Sequence, residues 1–272
     1  MRLIKPSYEI WQQPSGLEGI YKQIEHVGRV CYKSEDKITK DSAKPFVDRM
    51  IKSGHGAMLE HGTVYLTAKG KNTQVLSKYQ SNKYSKLYYN TYDDYESQVP
   101  IVYVTTNLRV LVENGWLDDL QYICEPTEYH ERRVTVYFIA DAGVMREFFR
   151  HRVFSMAQES TRYCNYLRDK FGSSITVIYP CWLKEEEELE FEEDMRVIEE
   201  LYFKWLKKGW TAQQARVFLP LGVKAEAVMT GFTSDFKHFF DLRAIGTTGQ
   251  PHPQAKELAL PLLNEFTTNK YF

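Results

Sequence analysis

Arg150, His151 and Arg152 stand side by side in a chain of 272 residues, between Phe148-Phe149 on one side and Val153-Phe154 on the other. Aromatic neighbours that bury would hold these three groups at the edge of a core instead of letting them wave in solvent. In an extended segment the two arginines point to one side and the histidine to the other; in a helix, successive side chains fan by about 100°. Either geometry suits two ligands meeting at one segment. After seven intervening residues, Ser160, Thr161 and Arg162 offer hydroxyls, backbone N–H groups and a guanidinium, which is phosphate-binding chemistry. His151 is of the type that serves as a general base near neutral pH, but between two arginines its cationic form is disfavoured, so it reads as a ligand contact. Arg-His-Arg alone would be an ordinary basic surface turn. The longer pattern, with Ser155, Ser160 and Arg162-Tyr163, fixes about seven positions, more than chance supplies in a chain of this length.

The elements that must position these groups follow from periodicity and punctuation. Residues 17–30 predict a helix, and Ser42 to Ser53 a second, with Met50 and Ile51 on its apolar side and Gly54 just past its end. Alternation predicts strands over Thr63–Thr67 and Arg133–Ala140. Between them, residues 69–131 are rich in Tyr and Asn and read as an insert with one small helix near 107–114, not as a separate core. Asp194 to Lys208 carries Met195, Ile198, Leu201, Tyr202 and Trp205 at helical spacing. Thr211-Ala-Gln-Gln214 is a capping-box start for a short helix bearing Arg216 and stopped by Pro220. Thr233 or Ser234 would cap the helix that ends near Arg243, and Pro251 to Thr267 is the last long helix. The sum is an α+β (mixed α/β) fold: a single domain over 1–272 with a small, mostly antiparallel sheet flanked by helices.

Net charge is −1, so bulk electrostatics point to neither nucleic acid nor a membrane surface. No apolar run approaches a membrane span, and the start, MRLIKPSYEIW, lacks a secretory pattern. Cys31, Cys124, Cys164 and Cys181 are widely spaced, without a CxxC pair or metal-ligand spacing, which suits four free thiols in the cytoplasm and no metal. Charge is nonetheless uneven. Residues 142–170 hold Arg146, Arg150, Arg152, Arg162, Arg168 and Lys170 against Glu147, Glu159 and Asp169, whereas 184–194 is strongly acidic and reads as a solvated helix start.

The Arg150-His-Arg-x7-Ser160 pattern resembles the signature of the flavin-dependent thymidylate synthase family. Three further regions resemble it in the same order: Gly28-Arg-Val-Cys-Tyr-Lys-Ser34, then Gly54-His-Gly-Ala-Met-Leu-Glu-His61, then Ala215-Arg-Val-Phe-Leu-Pro220 with Phe239-Phe-Asp-Leu-Arg243. The resemblance spans nearly the whole chain except 69–131. It implies methylation of dUMP to dTMP using FAD, NADPH and 5,10-methylenetetrahydrofolate, in a homotetramer with shared active sites. It implies a dUMP site of Glu147, Arg150, Gln158, Glu159, Ser160, Thr161, Arg162, Arg216 and Arg243. Arg243 would face the uracil, favour its ionised N3 form and act catalytically. It implies FAD contacts from Cys31, His55, Ala57, Glu60, Arg150, His151, Arg152, Gln158, Ser234 and His238, with His55 and Glu60 also near the folate.

This chain departs from the family pattern at three places. Ala157-Gln158 stands where Asn-Glu is frequent, turning a carboxylate contact into an amide one. Phe232-Thr233-Ser234 replaces an Asn-x-Arg element that usually contacts FAD, and a histidine expected soon after Arg243 is displaced, leaving His252 beyond GTTGQP.

Pro180-Cys181-Trp182 echoes the Pro-Cys nucleophile of the other, cysteine-dependent type of thymidylate synthase. A working thiolate needs a neighbouring cation or base, and the acidic run that follows would raise its pKa instead. A flavoprotein on the same scaffold with a different acceptor is a further possibility. So is a nucleic-acid-binding protein that uses segment 142–170 with tyrosines as stacking platforms. The near-zero net charge and the lack of a recognisable RNA-binding motif weigh against nucleic acid.

Overall fold

A computed structural model describes residues 1–90, 99–168 and 171–271. Asp169 and Lys170 of the basic segment, and residues 91–98 of the insert, lie outside the described residues. The first half of the chain runs β1 (Arg2–Ile4), β2 (Ser7–Trp11), α1 (Gly16–Tyr32), α2 (Ala43–Lys52), α3 (Gly56–Leu59), β3 (Thr63–Lys69), α4 (Thr73–Leu76), β4 (Lys86–Asn90), β5 (Ile101–Asn107) and α5 (Leu108–Asn114). The second half runs β6 (Arg133–Asp141), α6 (Ala142–Phe148), β7 (Ser155–Gln158), β8 (Thr176–Ile178), α7 (Glu188–Lys207), α8 (Ala212–Ala215), β9 (Lys224–Phe232), α9 (Thr233–Phe240) and α10 (Pro253–Thr268). The fold is α+β.

Strand β6 organises the centre. It pairs antiparallel with β2 on one side and β9 on the other, and β7 adds to β9, giving the order β2-β6-β9-β7. Because side chains alternate across a strand, Val134, Val136, Phe138 and Ala140 share a face with Ala225, Ala227 and Met229 of β9. That face meets Phe148 of α6, Phe236, Phe239 and Phe240 of α9, and Phe266 of α10. Edge-to-face pairs such as Phe148–Phe239, at 5.1 Å between centroids, add about 0.5–1.5 kcal/mol each to area burial. The other face, with Tyr137, Val228 and Ala157, packs on α1 and joins the first core cluster. Both faces are covered, so β9 reads as KAEAVMTGF with little alternation, and its pattern does not predict a strand.

The insert is more structured than its sequence suggests. Strands β4 and β5 join β3 in a second antiparallel sheet, ordered β3-β5-β4. Leu76, Tyr79, Val102, Val104 and Leu111 enter the same core as Ile20, Ile24 and Val27 of α1. The expected helix near 107–114 is present as α5, but an insert built around one small helix is corrected to one that completes a sheet. Every residue of Ile101–Asn107 is buried, which erases the alternation that identifies a strand. A short parallel pair, β1-β8, lies beside a third cluster made with α7.

Boundaries shift where capping differs from expectation. Helix α2 ends with Gly54 at φ 67°, as its sequence indicates, and Thr211 forms its capping box with Gln214. Helix α7 begins at Glu188 rather than Asp194, its acidic residues occupying the favourable N-terminal turn. Neither Thr233 nor Ser234 caps α9. The extended Phe232 occupies that position, and Ser234 Oγ donates to Glu131 instead. No described helix is long and apolar enough to cross a membrane.

Candidate active site

The signature segment is the corner between α6 and β7. Asp141 caps α6 by accepting the Val144 amide at 2.8 Å, and the helix stops at Phe148. Residues 150–154 form neither a strand nor a helix but a turn, tied by His151 N–H to the Phe148 carbonyl and by Phe154 N–H to the His151 carbonyl. Phe148 and Phe154 are buried, so the turn is pinned at both ends. Gly231 makes this possible: a Cβ there would lie 2.2 Å from the Phe154 ring. The outcome is the division of sides considered for an extended segment. His151 is buried, and Arg150 and Arg152 are exposed.

Arg243 reaches His151 from the other end of the molecule. Helix α9 passes into a π turn, Asp241–Ile245, closed by Gly246 at φ 86°, a local irregularity frequent at functional sites. Arg243 Nε donates to His151 Nε2 at 3.1 Å, one terminal nitrogen to the Glu147 carboxylate at 2.5 Å and the other to the Glu147 carbonyl at 2.9 Å. The guanidinium is thereby fixed in plane and orientation. Burial first, then Arg243 and His238, pushes the His151 pKa down to about 4, so the ring is neutral and accepts from Arg243. The sequence attributes the disfavoured His151 cation to Arg150 and Arg152; burial and Arg243 produce it instead. Glu147 and Arg243 border an open cleft of about 470 Å³ shared with Thr248–His252, which returns His252 to the site's neighbourhood.

Other predicted residues gather elsewhere. Thr161 and Arg216 line a separate cleft of about 460 Å³ with Arg146, which the sequence pattern does not single out. Arg162 is exposed and donates to Gln213 at 2.9 Å. Ser160 N–H donates to the Cys31 carbonyl at 3.0 Å, bringing Cys31 beside Ser160; the Cys31 thiol pKa is raised by burial. Glu60 and Arg152 line a third cleft, also about 460 Å³, under β4 and beside Phe232. Glu60 is ion-paired there with Arg109 of α5. His55 and Ala57 lie at α3, His55 exposed with Nδ1 3.3 Å from Met50 Sδ. His238 is exposed, its ring 5.9 Å from that of His151. Ser234 is turned away to Glu131.

Gln158 and Glu159 lead to a cluster that the sequence pattern does not reveal as a unit. Glu159 is buried, 2.9 Å from Lys224 Nζ and bonded by the Tyr166 hydroxyl at 3.1 Å. Lys224 also meets Glu226, which pairs with Lys33 at 2.8 Å and accepts from the Tyr137 hydroxyl. Burial works against the Glu226 carboxylate, yet Lys224, Lys33 and Tyr137 hold it ionised, at a pKa of about 2. Lys33 takes φ 47°, a conformation that disfavours any residue but Gly or Asn. A signal for the cluster is present: opposite charges two apart, Lys224 and Glu226, in an otherwise apolar run put both on one face of a strand.

Cys181 is exposed, and its thiol pKa is raised. The cause is desolvation of its sulfur and then Glu257, not the acidic run at 185–194. Cys124 is raised as well, again by burial first.

Comparison with known proteins adds a family to this geometry. The family model described as "Thymidylate synthase complementing protein" matches residues 127–269. A flavin-dependent thymidylate synthase of Pyrococcus furiosus is 33% identical over 100 residues, 36% of this chain and 40% of that protein. One from Pyrococcus abyssi is 32% identical over 99 residues, with the same two shares. One from Thermococcus kodakarensis is 32% identical over 125 residues, 45% of this chain and 49% of that protein. The chain thus spans less than half the length of these relatives in each match. Among solved structures, a UMP/dUMP methylase, PolB from Streptomyces cacaoi bound with 5-Br dUMP, aligns over 98% of this chain and 93% of its own, at 15% identity and a TM-score of 0.47.

Proposed function

The chain belongs to the thymidylate synthase complementing protein family, whose model covers more than half of it, and from that premise we propose that it is a flavin-dependent thymidylate synthase converting dUMP to dTMP. Its reductant would be NADPH, its flavin FAD and its carbon donor 5,10-methylenetetrahydrofolate. The observation that carries the reading is the fixed Arg243 guanidinium at a cleft, held by Glu147 and a neutral His151.

C5 of uracil is a weak nucleophile, and activating it builds negative charge on the O2/N3 edge of the ring. A cation already oriented by three hydrogen bonds stabilises that charge without reorganising. His151 contributes by staying neutral: a protonated ring could not accept from Arg243 and would repel it. Glu147 orients Arg243 through both its carboxylate and its carbonyl. Thr161 and Arg216, with Arg146 in the same cleft, suit a phosphate dianion. Bound FAD would supply the hydride that completes the methyl group. The residues fit that cofactor. Arg150 and Arg152 present exposed guanidinium groups at the turn. The cleft at Arg152 holds Lys83, Lys86 and Arg133 against two carboxylates, Glu60 and Asp235, of which Glu60 is already neutralised by Arg109. A protein nucleophile is not part of this reading, since the Cys31, Cys124 and Cys181 thiols are all pushed away from ionisation.

Glu147–Arg243 and Thr161–Arg216 line different clefts of one chain. That division supports active sites completed between subunits, as in a homotetramer of single-domain chains. The four cysteines, none of them in a disulfide, suit a reducing cytoplasm.

The test is an anaerobic assay for dTMP with FAD, NADPH, methylenetetrahydrofolate and dUMP. Purified or reconstituted protein should show flavin absorbance that NADPH bleaches when dUMP is present. Failure to take up flavin under several reconstitution conditions would remove this reading.

A further inference from the structure

Three side chains of the insert face the signature turn across one cleft: Lys83 and Tyr84 from the turn before β4, and Lys86 from its first position. The turn is anchored, since Asn82 Oδ1 accepts the Tyr84 amide at 2.9 Å and Ser85 Oγ donates to Thr106 Oγ1 of β5 at 2.8 Å. Lys83 Nζ stands 4.8 Å from the centre of the Tyr84 ring, and Lys86 Nζ 5.5 Å from that of Phe232. Both lysines and Tyr84 are exposed. Arg133 lies in the same lining, and its Nε is buried without a hydrogen-bond partner among the described residues. Glu60 in this lining is paired with Arg109, and burial raises the pKa of Asp235, its other acid. The cleft therefore carries surplus positive charge beside an aromatic face.

Phe232 lines the same cleft and opens Phe232-Thr233-Ser234, the segment where the family resemblance calls for an arginine. Ser234 cannot replace it, because its hydroxyl is engaged by Glu131. We propose that Lys83 and Lys86 of the insert bind the pyrophosphate of FAD, with Tyr84 stacking on its adenosine half, in place of the missing arginine. This rests on the flavoprotein reading above and gives the insert a specific task. Ammonium groups act as mobile point charges toward a pyrophosphate, and a tyrosine ring stacks on any base.

The experiment titrates the apoprotein with FAD and separately with riboflavin, following flavin fluorescence. Riboflavin lacks both phosphates and the adenosine, so it reports the isoalloxazine end without the pyrophosphate. The double variant Lys83→Ala/Lys86→Ala should bind FAD about 30-fold more weakly, about fivefold per lysine, the scale of exposed charge-assisted hydrogen bonds. Its riboflavin affinity should stay within about twofold, the FAD defect should shrink at high salt, and Lys86→Arg should retain most of the affinity. Unchanged melting temperatures will show that these exposed positions do not affect folding. Equal losses for FAD and riboflavin, or an unchanged FAD affinity, overturn the proposal. So does an unchanged FAD affinity accompanied by a higher NADPH requirement for bleaching, which would assign the lysines to the nicotinamide cofactor. If the parent binds FAD and the double variant is unaffected, only this proposal falls. If the parent binds neither flavin, the functional reading falls with it.

Discussion

Glu147 stands just before the signature and Glu159 within it, and the fold gives them opposite circumstances. Glu147 is partly exposed, meets one arginine and lies at the wall of a cleft. Glu159 is buried and closed in by Lys224 and Tyr166, within a network that continues through Glu226 to Lys33 and Tyr137. Both clusters concentrate charge beside the same sheet. The difference is closure: the Arg243 cluster keeps a guanidinium at a cleft wall, whereas the Lys224 cluster satisfies its charges internally and ties the end of α1 to β6 and β9. The first is arranged to act on a ligand and the second to hold elements together.

The largest expected effect comes from breaking the closed cluster. Lys224→Ala leaves Glu159 and Glu226 buried with less compensation, and removing one partner of a buried pair costs about 3–5 kcal/mol. Urea unfolding should show that loss. A loss below about 1 kcal/mol, well under the buried-pair scale, would mean that the network is not the fastening the comparison makes it.

At the open cluster the effect should fall on turnover. Arg243→Ala should lower dTMP formation on the order of a hundredfold, the scale of removing one oxyanion-stabilising donor, while FAD stays bound and NADPH oxidation by oxygen partly survives. Arg162→Ala should mainly raise the dUMP KM, because Arg162 holds Gln213 of the proposed phosphate cleft and a phosphate contact is about equally strong in ground and transition states. Steady-state dTMP formation measured beside NADPH oxidation separates them. If Arg243→Ala changes only KM while Arg162→Ala abolishes turnover, the two roles are reversed.

The clusters should also differ in pH response. The folded His151 pKa, about 4, lies below its ordinary 6.5, so the unfolded chain binds the extra proton in that interval. Its contribution is full above pH 6.5 and is lost as pH falls toward 4. His61, held near 3 by complete burial and then by Arg133, adds to the same loss. Glu226, at about 2 against an ordinary 4.5, loses its contribution only between those lower values. Urea midpoints followed from about pH 7 down to about pH 3 should show His151→Gln making the fall in the upper window shallower, with His61 keeping the remainder, while leaving the lower one. Flattening of the lower window alone would contradict the assignment.

The smallest effect is expected at Cys181. Cys181→Ala should leave dTMP synthesis within a few-fold of the parent, since desolvation and Glu257 hold the thiol protonated. Abolished turnover in a folded variant would instead favour a cysteine-nucleophile mechanism.

Much of the helical framework was legible in the chain, because Gly54 and the Thr211–Gln214 box are local signals that act within one turn. The sheets were only half legible. Thr63–Thr67 and Arg133–Ala140 stand out in pattern, but β5 and β9 are buried along both faces, which removes the alternation. The signature itself is linear, and residue types at fixed spacing carry it: two arginines for charge, a histidine between aromatic neighbours and hydroxyls for phosphate. Tertiary structure alone decided that His151 turns inward and that Arg243 crosses 92 positions to meet it. It also decided that Glu159 is committed to Lys224 and that the insert's lysines face Arg152. These are long-range juxtapositions, and their energies depend on burial and on partners that no stretch of neighbouring residues specifies.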